Sequence, residues 1–499
     1  MNKILKISSI QGGPFTSTND LCDFDIPEDS GAYDLSRSYV NLSCTVDAVG
    51  ADDGNNGGNG IYLPQFLLNN DDGTATNEFY PNAALVRNMK LDCALRGNIA
   101  DIRRVDVLRS NLYQYALSSD EQQSRQWQEV FQCNNRTMQK GSIFRDLRKE
   151  GSNFSRNLTA EVRIPLSQLC NFGRIQYYDT HKYGRTRLAL ELNLDRIRVT
   201  QLLGNGDTNN IWSQNDARNA FEDISNPADT SILISSASFE HLEDSPFWVG
   251  QKIRVTATHT DGGGSNLSDV VRRITSITWR PGTVGSGQGR IELQLNSGIG
   301  TLASGKSYTG ITCDGDSATF TFNCNNANLV LERLAKTRKV KDQITYTEYT
   351  TEQYNANGVQ NFQKMFEVEP NAVNILVMKN EDIISKMGDV SKYRMRLDNK
   401  DLTNRDIYVN SPLYFDRLNM TLGNSSNALH NLNEKGAIVD SVAQPDPRDK
   451  FTNVNSPDTL IMSNPLPMTP VPKLLQLNID CTSADINKLC LFKEVVKSI

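Results

Sequence analysis

The sequence lacks any long hydrophobic run. No stretch of its 499 residues approaches the roughly 20 consecutive apolar residues that a membrane-spanning helix requires, so we expect no membrane span. The opening segment, MNKILKISSI, contains too short an apolar run for a secretory signal peptide. We therefore expect a protein that is made in the cytoplasm and is not secreted.

An excess of positive charge is also missing. The chain carries 52 Lys and Arg against 58 Asp and Glu, which gives a formal net charge of -6. Proteins that bind nucleic acid through its phosphates usually present a clearly basic surface. The balance therefore predicts no sequence-specific binding of nucleic acid.

Cysteine pairs of the Cys-x-x-Cys type are absent. The nine cysteines are an odd number and are scattered along the chain, which favours buried free thiols in a reducing compartment over a zinc site or a disulfide framework. They are Cys22, Cys44, Cys93, Cys133, Cys170, Cys313, Cys324, Cys481 and Cys490.

Histidine is scarce, and its positions do not suggest chemistry. None of the four has the spacing of a metal pair or a neighbouring Ser or Cys nucleophile motif; they are His181, His241, His259 and His430. Acidic pairs at 52–53 and 71–72 lie in stretches rich in Gly and Asn, which are typical of solvated turns. A calcium site in these loops is an alternative interpretation, although neither stretch contains a full set of calcium ligands. We predict no catalytic, cofactor-binding or metal-binding residues, no cofactor and no enzymatic activity.

One segment matches a nucleotide-binding pattern literally. Residues 300–307, GTLASGKS, fit G-x-x-x-x-G-K-[ST]. A phosphate-binding loop also requires a helix N-terminus directly after it, whereas the following SYTGITCDGD is β-branched and turn-rich. We therefore expect a hairpin turn here that binds no nucleotide.

What the chain does contain is typical of a β protein. Its 33 Gly and many Asn and Asp suit tight turns, and RLALELNL (187–194) alternates strictly between apolar and polar residues. A capping box from Ser119 to Gln122 predicts a helix in one connection. Between residues 230 and 325, short strand patterns alternate with glycine-rich turns, which indicates a small inserted β domain.

Two stretches, 86–115 and 392–420, repeat the same landmarks in the same order. Each passes through Leu-Asp, then Asp-Ile, then Ser-x-Leu-Tyr, and weaker echoes flank both. The matched pairs are Phe24 with Phe366, Leu91 with Leu397, Asp101 with Asp406, Ser110 with Ser411, and Leu192 with Leu477. A shared order is the signature of a repeated architecture, so the sequence predicts two copies of one β-rich unit.

The predicted fold is therefore all-β, with two tandem jelly-roll sandwiches. We expect residues 1–19 to form an N-terminal arm. Residues 20–335 are predicted to form the first jelly roll, which the inserted domain at 230–325 interrupts, and residues 336–499 the second.

Six framework motifs carry a family resemblance. They are STNDLCDFDIP (17–27), DLSRSYVNL (34–42), IPLSQL (164–169), LELNL (190–194), YRMRLDNKDLTNRDI (393–407) and SPLYFDRL (411–418). Together they resemble double jelly-roll major capsid proteins, most closely those of virophages and polinton-like or adintovirus-like DNA viruses. The resemblance covers about 15–205 and 326–499, and the insert departs from the family framework.

This resemblance implies a structural protein of an icosahedral DNA-virus capsid. In that family two jelly rolls stand side by side, and three chains form a hexon-like capsomer of pseudo-hexagonal outline. The implied partners are the two other chains of a homotrimer, neighbouring capsomers, and penton and minor capsid proteins. The implied location is the virion, after synthesis in the host cytoplasm or a virus factory.

Two other functions stay open on the sequence. A surface carbohydrate-binding or adhesin-type β-sandwich would require a secretion signal and an aromatic patch, whereas the four Trp residues are scattered. A jelly-roll enzyme would require clustered His and carboxylates, and the histidines are dispersed. Fold alone does not separate these functions, because one fold supports many.

Overall fold

The computed structural model describes most of the chain, and strands predominate in it, which confirms the predicted all-β class. The described residues are 3–28, 30–50, 60–62, 64–70, 73, 75–76, 80–116, 129, 147–150, 153–154, 159–201, 212–213, 220–221, 230–236, 247, 249–260, 266–280, 289–300, 307–315, 318–335, 343–380, 390–402, 405–408, 411–422, 462–481 and 486–499.

The first sandwich consists of two antiparallel sheets. Its principal strands are β1 (Lys3–Ser8), β2 (Leu21–Ile26), β3 (Ala32–Gly50), β7 (Val86–Cys93), β8 (Gly97–Arg103), β11 (Thr159–Pro165), β13 (Thr186–Leu192) and β22 (Ala318–Arg333). One sheet has the order β1-β22-β3-β11, and the other begins β2-β13-β7-β8. Strand β13 illustrates why these strands form a sandwich. Its leucines are buried while Arg187 is exposed, so one face of the strand packs on the core.

The second sandwich repeats this plan. Its strands are β23 (Thr345–Asn355), β24 (Asn361–Val368), β25 (Ala372–Lys379), β26 (Val390–Leu397), β27 (Lys400–Asp401), β28 (Ile407–Tyr408), β29 (Met462–Pro465), β30 (Lys473–Cys481) and β31 (Lys488–Ser498). One sheet has the order β23-β31-β25-β29. The other has the order β24-β30-β26, and both β27 and β28 pair with β26.

Both sandwiches have the strand order of a jelly roll. The eight principal strands of each unit can be numbered 1 to 8 in chain order, with β27 and β28 counted together as the fifth strand of the second unit. In each unit, one sheet then has the order 1-8-3-6 and the other has the order 2-7-4-5. Strand order in sheets identifies an architecture without any reference to sequence similarity. The predicted double jelly roll is therefore confirmed.

The sequence repeat maps onto equivalent elements. Phe24 and Phe366 lie in the second strands, and Leu91 and Leu397 in the fourth. The Ser-x-Leu-Tyr motifs lie in or directly before two equivalent helices, α1 (Val105–Ala116) and α4 (Pro412–Leu422), each of which follows a fifth strand. The echoes thus reflect a duplicated framework.

Smaller elements complete the first unit. Strands β4 (Gly60–Tyr62), β9 (Leu147–Glu150) and β10 (Asn153–Phe154) form one small sheet, and β5 (Pro64–Asn69), β6 (Ala75–Thr76) and β14 (Ile197–Gln201) form another. Strand β12 (Tyr178–Asp179) pairs with β3. Short helices are α2 (Leu166–Leu169) and α3 (Thr180–Tyr183), with 3-10 turns at Asn82–Leu85, Phe172–Arg174 and Leu194–Arg196.

One sequence interpretation requires correction, and another lies outside the described residues. Residues 3–8, predicted to lie in an N-terminal arm at 1–19, form β1, which pairs with β22 along its whole length. Leu5 and Ile7 of that strand pack on the main core, which holds the segment in the sheet. The helix predicted from Ser119 to Gln122 lies outside the described residues.

The inserted region has a sheet and a core of its own. Its strands are β15 (Trp212–Ser213), β16 (Ala220–Phe221), β17 (Ser231–Ser236), β18 (Lys252–His259), β19 (Leu267–Arg280), β20 (Gly289–Leu295) and β21 (Tyr308–Gly315), in the order β15-β21-β18-β19-β20-β17-β16. The sheet therefore begins before residue 230, and residues 318–325 belong to β22 of the first jelly roll. Buried residues such as Ile234, Val255 and Ile291 form a cluster separate from the main core.

Replacing residues 212–315 with a short Gly/Ser linker removes the whole inserted sheet and should leave a soluble, folded protein, because this core is independent and surface insertions cost little to close. Circular dichroism and size exclusion would measure this. A deletion that extends to residue 325 also removes residues of β22 that pair with β3, so it should be clearly less stable. An insoluble product from the deletion of 212–315 would show that the insert is part of the main framework.

Candidate functional site

The described residues contain no cluster of three or more His, Cys, Asp or Glu side chains that could hold a metal. His181 is exposed, and the ring of His259 lies edge-on to Tyr308 at 5.6 Å between centroids. His241, His430, both acidic pairs and residues 301–306 of the GTLASGKS segment lie outside the described residues, so the expectation of no nucleotide binding stays a prediction. Helices long and apolar enough to cross a membrane are absent from the described part.

Seven of the eight described cysteines are buried, and all eight are free thiols; Cys481 is half-buried. Burial raises the pKa of Cys22 and of Cys490 to about 12 in each case. Such thiols remain protonated at neutral pH and are poor nucleophiles and poor metal ligands. The described cysteines therefore contribute to packing as free thiols, as the sequence predicts.

The feature that sets this chain apart from a single sandwich is the junction between its two jelly rolls. Strand β8 of the first unit and β23 of the second lie parallel, with Asp101 opposite Thr350. This pairing joins two four-stranded sheets into one eight-stranded sheet, β2-β13-β7-β8-β23-β31-β25-β29. The fifth strand of one jelly roll thus meets the first strand of the next.

Buried aromatic contacts reinforce this junction. The Tyr346 hydroxyl donates a hydrogen bond to the carbonyl of Ile99 at 3.1 Å, and Lys497 donates to the same carbonyl at 3.2 Å. The Tyr346 ring also packs edge-on against Phe172, with centroids 4.8 Å apart. These side chains connect β23 and β31 to the first sandwich, so the two units cannot slide without breaking buried hydrogen bonds.

A fully buried carboxylate, that of Glu348 on β23, lies at the same junction. It accepts hydrogen bonds from the backbone N–H groups of Asn171 at 3.1 Å, Phe172 at 2.9 Å and Tyr349 at 3.0 Å. Burial raises the pKa of Glu348 above its ordinary value, although the charge of Arg109 and these N–H groups act in the opposite direction. Glu348 therefore fixes the second sandwich to the turn at 171–172 of the first.

A second buried polar cluster surrounds Asp106, at the start of α1. Arg104 donates to it through Nε at 3.0 Å and Nη2 at 3.2 Å, Asn193 donates through Nδ2 at 3.2 Å, and Arg196 Nη1 lies 3.5 Å from the carboxylate. Burial alone would lower the pKa of Arg104, but the charge and hydrogen bonds of Asp106 raise it above its ordinary value. Burial lowers the pKa of Arg196 to about 10.

Arg104 extends this cluster into the second sandwich. Its Nη1 donates to both the backbone carbonyl and Oδ1 of Asn380, the latter at 2.7 Å, and Cys490 Sγ donates to the same Oδ1 at 2.9 Å. Arg104 has a φ of 59°, a left-handed conformation that non-glycine residues rarely adopt. The side chain of this residue is hydrogen-bonded on both sides of the junction, to Asp106 and to Asn380.

The charged side chains of the junction clusters, Arg104, Asp106 and Glu348, are buried, and together they can hold the two sandwiches in one orientation. The sequence alone did not predict them. The adjacency of Arg104 and Asp106 after β8 is visible in the sequence, but a charged pair before a helix is common. Asn380 is 276 positions away from Arg104, and no local pattern links the two.

Comparison with known proteins gives matches among solved structures. No protein-family model and no curated protein matches the sequence. Among solved structures, the Faustovirus major capsid protein matches with a TM-score of 0.43 and 9% identity over 100% of this chain and 90% of that one. The mavirus major capsid protein matches at 0.33 and 8%, over 99% and 86%. A quasi-atomic model of the PBCV-1 virus capsid matches at 0.36 and 7%, over 100% and 94%.

All three matches are capsid structures. They are structures of the kind that the sequence motifs resemble, so the expected resemblance is found. At identities of 7–9% it is a likeness of fold alone. The double jelly-roll assignment rests on the strand order of this chain itself.

Proposed function

We propose that this chain is a structural major capsid protein of an icosahedral DNA virus. The observation that carries the proposal is the presence of two jelly rolls of identical strand order, fused through one eight-stranded sheet. Two equivalent columns in one chain suit a shell tile, because three copies around a threefold axis give a nearly sixfold outline. The role is mechanical, and the chain would reside in the virion with neighbouring capsomers, penton and minor capsid proteins.

The junction within the chain suggests how chains would meet. Inside the chain, the fifth strand of the first jelly roll contacts the first strand of the second. The equivalent free edges are β28 and β1, which would pair between neighbouring copies in a closed ring. Each edge exposes a large apolar side chain: Ile4 on β1 is 70% exposed and Tyr408 on β28 is 57% exposed. The unpaired backbone groups of a sheet edge are a template for pairing with a strand of another chain.

We expect a trimer with a mass three times that of the 55.7 kDa chain. Each pair of chains should bury about 2,000 Å² or more, as obligate interfaces do. Light scattering coupled to size exclusion would measure the mass, and negative-stain images would show a pseudo-hexagonal outline. Ile4→Asp should reduce the trimer fraction, whereas Met468→Asp, at an exposed site outside both strands, should not. A stable monomer or dimer across a concentration series would contradict the proposal.

A further inference from the structure

Two cysteines lie opposite each other on a long strand pair of the first jelly roll. Strands β3 and β22 are antiparallel, and their register is continuous from Gly50 opposite Ala318 to Cys44 opposite Cys324. An irregularity in the pairing follows only after Cys324. Among the strand pairs in the described part of the chain, no other places one cysteine directly opposite another.

The backbone hydrogen bond of Cys324 is directed away from Cys44. The carbonyl of Cys324 accepts a hydrogen bond from the N–H of Phe15 at 2.8 Å, on the side of β22 that is opposite to β3. The N–H and C=O groups of a residue in an antiparallel strand point to the same side, so Cys44 and Cys324 form a non-hydrogen-bonded pair. The Cα atoms of such pairs are about 4.5 Å apart, and a disulfide requires about 4.4–6.8 Å. The backbone geometry therefore suits a disulfide.

Both thiols belong to the main hydrophobic core. Cys44 and Cys324 are each 1% exposed. A hydrogen bond with the Cys324 thiol, together with burial, raises the pKa of Cys44 well above its ordinary value. Because the thiolate is the reactive form, the pair reacts slowly in the closed sandwich, and any exchange takes place when the strands open locally.

The cysteine pair lies where the connection to the inserted region leaves the sandwich. From Val46 to Gly50, β3 pairs only with β22 among the described strands. Strand β22 begins at Ala318, shortly after β21 of the inserted sheet ends at Gly315. A covalent bond at this position would close a loop that contains the whole inserted region, and it would fix the strands to which that region is attached.

We propose that Cys44 and Cys324 form a disulfide by exchange with an oxidised low-molecular-weight thiol. The thiolate of Cys44 attacks the disulfide of the oxidant and releases one small thiol; the thiolate of Cys324 then attacks the Cys44 sulfur and releases the second. Two protein thiols are oxidised, and one small disulfide is reduced to two thiols that take up the two protons.

The cell in which the chain is made keeps thiols reduced, and the bond forms when the protein reaches an oxidising medium. This timing rests on the proposed function, a shell that leaves the cell, whereas the chemistry does not. The mass of the assembly is measured in reducing buffer, so failure of the disulfide would leave the capsid proposal intact.

The test incubates the full-length protein with an excess of oxidised glutathione, at a series of temperatures up to just below its melting temperature so that local opening exposes the thiols. Free thiols are then alkylated, and the protein is digested without reductant for mass spectrometry. The expected product is a peptide pair joined through Cys44 and Cys324, which is absent after incubation with reduced glutathione. Cysteines that stay free or carry only glutathione, or a bond to Cys22 in the same core, would overturn the proposal.

The disulfide should raise the melting temperature by roughly 4 °C or more, because it closes a long loop of the unfolded chain. Cys324→Ala should abolish the difference in melting temperature between oxidised and reduced glutathione. Cys22→Ala, which alters another buried thiol of the same core, should preserve that difference. The peptide map of the unmodified protein stands if either variant fails to fold. A linked protein that melts at the temperature of the reduced protein would contradict a stabilising role for the bond.

Discussion

Substituting Asp106 with Ala should lower the free energy of unfolding by about 3–5 kcal/mol. The carboxylate is completely buried, accepts hydrogen bonds from Arg104 and Asn193, and lies 3.5 Å from Nη1 of Arg196. Its removal would leave two guanidinium groups in the interior without their counter-charge, and the desolvation cost of both would remain. Chemical denaturation monitored by tryptophan fluorescence measures the loss.

The matched control is an ion pair on the surface. Lys90 and Asp92 lie 2.9 Å apart on the outer face of β7, where water screens their attraction. Asp92→Ala should therefore change stability by only about 0–1 kcal/mol. If Asp106→Ala were as mild as Asp92→Ala, the buried cluster would contribute little, and the orientation of the two sandwiches would depend on the strand pairing alone.

The framework of the fold was predictable because it depends on local patterns. Strict alternation identified β13, and landmarks in a shared order located equivalent strands of the two units, such as those that hold Phe24 and Phe366. Each landmark pair is weak alone. Their order carried the prediction, because a duplicated jelly roll repeats its strands in the same sequence along the chain.

Element boundaries were less predictable, and the reasons are physical. Residues 3–8, KILKIS, do not alternate strictly between polar and apolar side chains, and the Gly and Pro residues at 12–14 suggested an arm. Pairing with β22, more than three hundred positions away, makes this segment a strand. The segment 103–108, RRVDVL, contains two valines and by local pattern alone favours a strand, whereas β8 ends at 103 and α1 begins at Val105.

The junction could not be predicted, because its contacts join residues that no local pattern relates. Arg104 and Asn380 come from different jelly rolls. The same holds for Tyr346 and the carbonyl of Ile99, and for Glu348 and the backbone at 171–172. Sequence periodicity describes which face of a strand is buried, but it carries no information about how two completed sandwiches are placed side by side.

Replacing Phe366 with Ala should destabilise both jelly rolls, although the residue belongs to the second one only. Phe366 is buried in β24, and truncation of a buried Phe costs about 3–5 kcal/mol through lost burial and the cavity that remains. The shared eight-stranded sheet and the buried clusters around Glu348 and Asp106 couple the two units. We therefore expect hydrogen exchange to accelerate in β7 and β13 of the first unit as well as in β26 and β30 of the second.

Met365 provides the control, because it is the neighbour of Phe366 on the same strand and its side chain is exposed on the opposite face. Met365→Ala should change stability by less than about 0.5 kcal/mol and leave exchange in both units unaltered. The reciprocal variant, Phe24→Ala, removes the equivalent side chain of β2 and should also accelerate exchange in both units. Faster exchange confined to the unit that carries the substitution would mean that the two jelly rolls unfold independently. The junction would then be a contact between two autonomous domains. A shared sheet that couples the stabilities of the two units must show faster hydrogen exchange in both of its halves.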